Sequence, residues 1–191
     1  MSEAAVAFAF DPATERARFQ ARQAFLGRQA ALRLELAEGI IFQPETAESV
    51  EDQIIETLWA EGKTPGTVAA DELAEARASF AVLAPRREGA ARSIAATLML
   101  GFPDDVRDRR LAVLHTFPDQ LLLELSDGSL VAPAVDRGTA GLEDRLPSVL
   151  ALRYLIPDGR TLAALVSHHA EAPGRWPAPA AWVAWISQEK P

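Results

Sequence analysis

Leu32, Leu34 and Leu36 alternate with Arg33 and Glu35, the period-2 pattern of a strand with one face in a core. Glu38-Gly39 supplies a turn, and Ile40-Ile41-Phe42 returns as the hairpin partner, stopped by Pro44, which has no N–H for a ladder. The period then changes. Thr46 is a helix-capping residue, and after it Val50, Ile54, Ile55 and Leu58 recur at helical spacing. Glu48, Glu51 and Asp52 fall in the early turns, where the positive end of the helix dipole favours acids, and Gly62, Pro65 and Gly66 break the helix. Upstream, Asp11-Pro12 before strong helix formers predicts a helix from Pro12 to Leu26. Downstream, a shorter helix is expected from Asp71 to Leu83, with Leu73, Phe80 and Leu83 inward and Pro85 beyond its end.

Arg86-Arg87-Glu88-Gly89 reads as a loop, and the apolar run from Ile94 to Phe102 as a central strand. Pro103 to His115 predicts a helix with Asp104 and Asp105 at its start and Val106, Leu111 and Leu114 inward. Leu121 to Leu125, Asp127-Gly128 and Leu130-Val131 form the clearest hairpin signal, because Asp-Gly suits a primed turn. Asp136 to Pro147 reads as a loop. Val149 to Ile156, Pro157-Asp158-Gly159 and Thr161 to Val166 predict another hairpin. Pro173, Pro177 and Pro179 then make a stiff connector to a last helix carrying Trp182, Trp185 and Ile186. The expected fold is α+β: antiparallel hairpins forming one sheet packed with three or four helices, with residues 1–172 as a single domain and 173–191 as a proline-linked helical tail.

Composition narrows the function classes. The 191 residues are 49% hydrophobic and 24% charged, enough for a real core. No apolar run approaches the roughly 20 residues of a membrane-spanning helix, and Met1-Ser-Glu-Ala-Ala lacks the basic start of a secretory signal. The absence of cysteine removes disulfides, thiol nucleophiles and thiolate metal sites, and a cytoplasmic protein is expected. A net charge of −8 opposes general nucleic-acid binding. Seventeen arginines against two lysines read as a GC-rich genome's bias rather than one site's chemistry. Arg16, Arg18, Arg22 and Arg28 nevertheless cluster, as do eleven acids from Glu35 to Glu75, so the two segments either neighbour each other or face oppositely charged partners.

Chemistry-bearing constellations are few. His168 and His169 are adjacent at a strand end, where alternation points them to opposite faces, and His115 suits a helix C-terminus. Neither a phosphate-binding glycine loop nor a nucleophile elbow is present. The stripe Glu48, Glu51, Asp52 and Glu56 is the solvated face of an amphipathic helix before it is a cation site. Arg153 stands apart, inside the apolar strand from Leu150 to Ile156. There an unpaired charge would cost several kcal/mol, so it faces outward on an edge or meets a carboxylate of the acidic helix. An ion pair is the structural reading and anion binding the functional one. Trp176, Trp182 and Trp185 crowd the C-terminus, where aromatics anchor a tail or serve as binding hot spots.

Gln53-Ile54-Ile55-Glu56, Glu72-Leu73, Ala96-Thr97-Leu98-Met99 followed by Pro103-Asp104, and Ser148-Val149 leading to Leu152-Arg153-Tyr154 occur in an order that resembles a bacterial family catalogued as domain of unknown function 3501. The resemblance spans roughly Arg18 to His169. It implies a small cytoplasmic protein without an assigned activity, encoded beside rubrerythrin-like and iron–sulfur proteins. Gln53, Glu56 and Arg153 match the family's polar positions, whereas Ile55, Trp59, Leu150 and Ser167-His168-His169 depart from them.

Two functions follow as expectations. The first is a non-catalytic accessory subunit with no cofactor of its own. It would bind an iron-dependent partner enzyme and present a peptide, as small subunits do in ribosomal-peptide modification such as methanobactin assembly. Arg153, Gln53, Glu56, Arg18, Arg22, Trp182 and Trp185 are its candidate contacts, and neither nucleic acid nor membrane is a partner. The alternative is a small metal-binding protein or enzyme using Glu56, Arg153 and His168 or His169 in one cleft.

Overall fold

The computed structural model describes residues 23, 25–63, 68–136 and 145–182. Most of the helix expected from Pro12 to Leu26, with Arg16, Arg18 and Arg22, lies outside the described residues, as do Trp185 and Ile186. The chain divides into two compact units, one containing residues up to Ala31 with Ala47–Ala81, the other Leu32–Thr46 with Val82 onward.

A helix α1 (25–32), in the first unit up to Ala31, leads in, and in that unit α2 (Ala47–Ala60) packs with α3 (Ala70–Phe80). Val50, Ile54 and Leu58 of α2 are buried, as their spacing predicts. Arg28 meets Glu48 at 2.5 Å, so part of the basic segment does lie against the acidic one. Arg77 meets Glu51 at 3.0 Å, and Lys63 lies between Glu61 and Glu72 at 2.8 and 3.3 Å. Glu72 also accepts the Ala69 N–H at the start of α3, and that bond, with Lys63, holds its carboxyl below the ordinary range. Leu73 and Phe80 were expected inward, but α3 buries no residue.

The second unit carries the strands: β1 (Leu34–Ala37), β2 (Ile40–Pro44), β3 (Arg86–Glu88), β4 (Ala91–Leu100), β5 (Leu121–Leu125), β6 (Leu130–Val131), β7 (Ala134–Asp136), β8 (Val149–Pro157), β9 (Leu162–Ser167) and β10 (Gly174–Pro177). They form two antiparallel sheets rather than the one expected. The first has the order β1-β2-β4-β8-β7, with β3 also on β4, and the second the order β10-β9-β5-β6. Strand β4 is the axis of the first sheet. One edge pairs with β8 over nine residues, and the other is shared end to end by β2 and β3. Helix α4 (Asp104–Val113) and a 3-10 turn (Pro118–Gln120) link the first sheet to β5.

Alternation places Ile94, Ala96, Leu98 and Leu100 of β4 and Leu150, Leu152, Tyr154 and Ile156 of β8 on one face. These share a core with Leu121, Leu123 and Leu125 of β5 and Leu162 and Leu165 of β9. Tyr154 ties the sheets together, its buried hydroxyl donating to the Leu121 carbonyl at 2.9 Å. Burial pushes this phenol far above its ordinary pKa. The chain passes between sheets at Ala132-Pro133, where β6 on β5 gives way to β7 on β8. A proline suits such a corner, since it has no N–H to pair.

The second expected hairpin is not one. β8 pairs with β4 and β7, and β9 with β5 and β10, so the turn after Pro157 carries the chain from one sheet to the other. The backbone there is held from both sides, Asp158 N–H donating to Ala90 O and Ser126 N–H to Thr161 O. Two expected loops also contain strands. Arg86–Glu88 forms a hairpin with β4 about Gly89, which takes a positive φ of 62°. Gly174–Pro177, expected as a connector, pairs with β9 as a terminal strand, the position where a ladder tolerates proline. Beyond it Trp182 is buried, tilted against Phe42 with centroids 5.2 Å apart, and its indole N–H donates to Leu32 O at 2.6 Å. The segment read as a tail therefore supplies part of the second unit's core.

Candidate functional site

The outward face of the first sheet carries the polar groups. On β4 that face presents Ala91, Ser93, Ala95 and Thr97, and on β8 Ala151, Arg153 and Leu155. Arg153 lies opposite Ala95 on one side and Ala134 of β7 on the other, so it is not on an edge. Its Nη1 reaches Glu88 of β3 at 3.1 Å, and the same Glu88 oxygen accepts from Arg86 Nε at 2.7 Å. The expected ion pair exists, with a carboxylate of β3 rather than of the acidic helix. Small residues make it possible: β3 and β8 lie on opposite sides of β4, and only Ala91, Ser93 and Ala95 stand beneath the path between them.

Beside Arg153 is a cleft of about 280 Å³, lined by Val82, Ala134, Val135, Asp136, Ala151, Leu152 and Arg153. Leu152 points its side chain into the core, so it contributes main chain to this cleft. The walls are small and apolar, with one guanidinium and one carboxylate among them. Exposed Val149 and Leu155 continue the apolar surface along β8.

Further along the same face a second polar group is buried. Glu45 is 1% exposed, and its carboxylate accepts from the Thr97 hydroxyl at 2.5 Å. Gln43, opposite Thr97, accepts from Arg33 Nε at 3.3 Å and donates to Pro44 O at 3.2 Å. These contacts satisfy buried polar atoms, as low-dielectric surroundings require.

The remaining predicted residues are dispersed. Gln53 is half-buried and Glu56 exposed on α2. His168 is exposed after β9. His169 is buried edge-on against Phe117, and its Nδ1 accepts the Glu171 N–H at 3.2 Å. Arg153 thus belongs to the first sheet and the histidines to the end of the second. Among the described residues no three His, Asp or Glu side chains form a group able to hold a metal ion. Trp182 is a core residue with 1% exposure, and Trp176 packs half-buried over Gly174, where an added Cβ would meet its ring at 2.6 Å. Arg175 forks onto Glu124 of β5 through Nε and Nη2 at 2.7 and 3.0 Å, which holds the Glu124 carboxyl below the ordinary range.

Sequence reasoning missed Glu88, Arg86, Ala134 and Asp136 because it read β3 and β7 as loop or left them unassigned. The signal for β3 was available: Arg86 and Glu88 two residues apart, a glycine, then Ala91 and Ser93, which is the alternation of a short polar hairpin.

No family model matches the chain, and no curated protein matches it either. Among solved structures, a Burkholderia pseudomallei protein described as a novel protein of unknown function is similar, with a TM-score of 0.73 at 18% identity over 92% of each chain. That likeness shows a shared fold. Among the described residues no helix is long and apolar enough to cross a membrane.

Proposed function

We propose that the protein is a non-catalytic binding subunit that holds a peptide segment beside a partner enzyme. The observation that supports this reading is the cleft on β7 and β8: small apolar walls with Arg153 held in place at one side by Glu88. Recognition sites combine apolar lining with a few fixed polar groups in this way. Strand β7 is three residues long and terminal in its sheet among the described residues. A terminal strand offers main-chain groups to an extended segment, the geometry of strand addition.

The sequence resemblance to domain of unknown function 3501 suggests an iron-dependent enzyme in the cytoplasm as the partner in this proposal, with peptide modification such as methanobactin assembly as one concrete form. The chain itself then needs no metal, and His169 serves the fold through Phe117 and Glu171. Affinity capture from the native host at modest salt, with elemental analysis of the eluate, tests the reading. Co-elution of a second, iron-bearing protein is the expected result. A monomer eluting alone contradicts it.

A further inference from the structure

We infer that the β7–β8 cleft is a carboxylate site, made for the C-terminus of a peptide that ends in a small apolar residue. The inference rests on the binding reading above and names what that cleft takes.

Arginine has five N–H donors, and the two that lie parallel, on Nε and Nη2, form the edge that meets a carboxylate in a fork. Glu88 takes Arg153 through Nη1. The Nε–Nη2 edge is left without a partner among the described residues, and Arg153 also lines the cleft. Glu88 therefore acts as a positioning residue, fixing the plane of the guanidinium while its fork stays available. Charge agrees. Glu88 serves both Arg86 and Arg153, so the positive charge is concentrated at the Arg153 end of the cleft, while Asp136 at the other end makes the lining as a whole neutral.

The rest of the cleft restricts the anion. Ala134 and Ala151 flank Arg153 on the same face with little more than methyl groups, and Val82 closes one side, so the space beside the fork suits a short apolar side chain. Asp136, on the same face one position beyond Ala134's neighbour, disfavours a carboxylate at its own end. It thereby assigns the acid to the Arg153 end. A peptide source fits better than a free acid because the cleft's rim is the terminal strand β7, which can pair with an extended segment.

The test is an NMR titration of the full-length chain with N-acetyl-alanyl-valine, its C-terminal amide and isobutyrate, following arginine Nε–H resonances. The Arg153 signal is identified by its loss in Arg153→Gln. The acid is expected to bind at least tenfold more tightly than the amide and to shift the Arg153 signal, and Arg153→Gln is expected to reduce acid to the amide's level. Ala134→Leu, which fills the cleft from an exposed position, is expected to abolish the shift while the spectrum stays dispersed. Equal binding of acid and amide, no binding of either, or an unaltered Arg153 signal would overturn the carboxylate site. Isobutyrate binding as tightly as the dipeptide overturns the peptide source in favour of a free acid. If the titration fails while the chain still captures an iron-bearing partner, the carboxylate site falls alone; if capture fails as well, the binding-subunit reading falls with it.

Discussion

Arg153 and Glu88 form an ion pair over the back of β4, Nη1 to Oε1 at 3.1 Å, joining strands that flank that strand on opposite sides. Glu88 lies opposite Ala91 and Arg153 opposite Ala95, so the pair crosses two strand spacings of about 4.8 Å each and also runs diagonally past four residues of β4, which needs both long side chains nearly extended. It also needs nothing tall between them. Ser93 and Ala95 are buried small residues on that face of β4, and they leave the passage open. The pair therefore fixes the short β3 hairpin to β8 and fixes the guanidinium at the cleft.

With both side chains about one-third exposed, at 30% and 32%, the pair's contribution to stability is modest. A double-mutant cycle of Arg153→Gln and Glu88→Gln should give a coupling of about 0.2–1 kcal/mol by denaturant unfolding. Ala95→Leu should remove the coupling with both charged partners still in the chain, since a branched side chain opposite Arg153 would stand in the passage. A coupling that survives Ala95→Leu would contradict this geometry.

Trp182 joins the C-terminal segment to the β1–β2 region through Phe42 and Leu32. Trp182→Ala should cost about 3–5 kcal/mol, the range for removing a large buried aromatic. Trp182→Phe keeps a ring on Phe42 but leaves the Leu32 carbonyl without its donor, and should cost about 1–3 kcal/mol. Chemical denaturation of both variants separates packing from the hydrogen bond. Near-equal losses would mean that the indole N–H contributes little.

Tyr154 should resist ionisation. Its buried phenol is pushed far above the ordinary value near 10, so tyrosine absorbance should show no phenolate at pH 11 while the protein stays folded. As the chain's single tyrosine, it gives an uncluttered signal. Tyr154→Phe should cost about 1–3 kcal/mol through the orphaned Leu121 carbonyl.

Glu124 gives an acid-side prediction. Its folded carboxyl lies below the ordinary value of 4.5 because Arg175 hydrogen-bonds its charged form. The stabilisation is present in full above the unfolded value and is lost as the pH falls through the folded one. Wild type should therefore melt above Glu124→Gln at pH 7, and the two melting curves should converge as pH falls below about 4. A gap that persists at pH 2 would mean that the variant loses packing, not an ion pair.

Gly39 is a backbone requirement. It has a φ of +74°, and a Cβ there would meet the Gly101 carbonyl at 2.7 Å, in the place where Gly101 N–H also donates to Gly39 O. Gly39→Ala should destabilise by more than about 1 kcal/mol, whereas Gly159→Ala, with φ +76° but open space, should cost less. Thermal melts of the two variants compare steric contact with backbone conformation alone.

Much of this architecture is legible in the chain. The β1–β2 and β5–β6 hairpins, the helical spacing of Val50, Ile54 and Leu58, and the central place of β4 follow from local periodicity and turn residues. What escaped is non-local. Val149–Ile156 and Thr161–Val166 look like a hairpin, since Pro157-Asp158-Gly159 favours a turn. Whether two strands joined by a turn pair with each other or enter different sheets depends on the competing partners β4 and β5. The proline-rich strand β10 escaped because Pro173 and Pro177 argue against a ladder everywhere except at its margin. Arg153's need for a partner could be read from its apolar surroundings, but the partner could not, because Glu88 lay in an unrecognised strand.

The central claim, a binding subunit that performs no chemistry alone, is tested most directly on the captured complex. The two chains are separated, iron is measured in each, and product formation is assayed for each alone and for the recombined pair. The account predicts iron in the partner only and turnover that falls sharply without this chain and returns when it is added back. Stoichiometric metal and turnover in this chain by itself would contradict it.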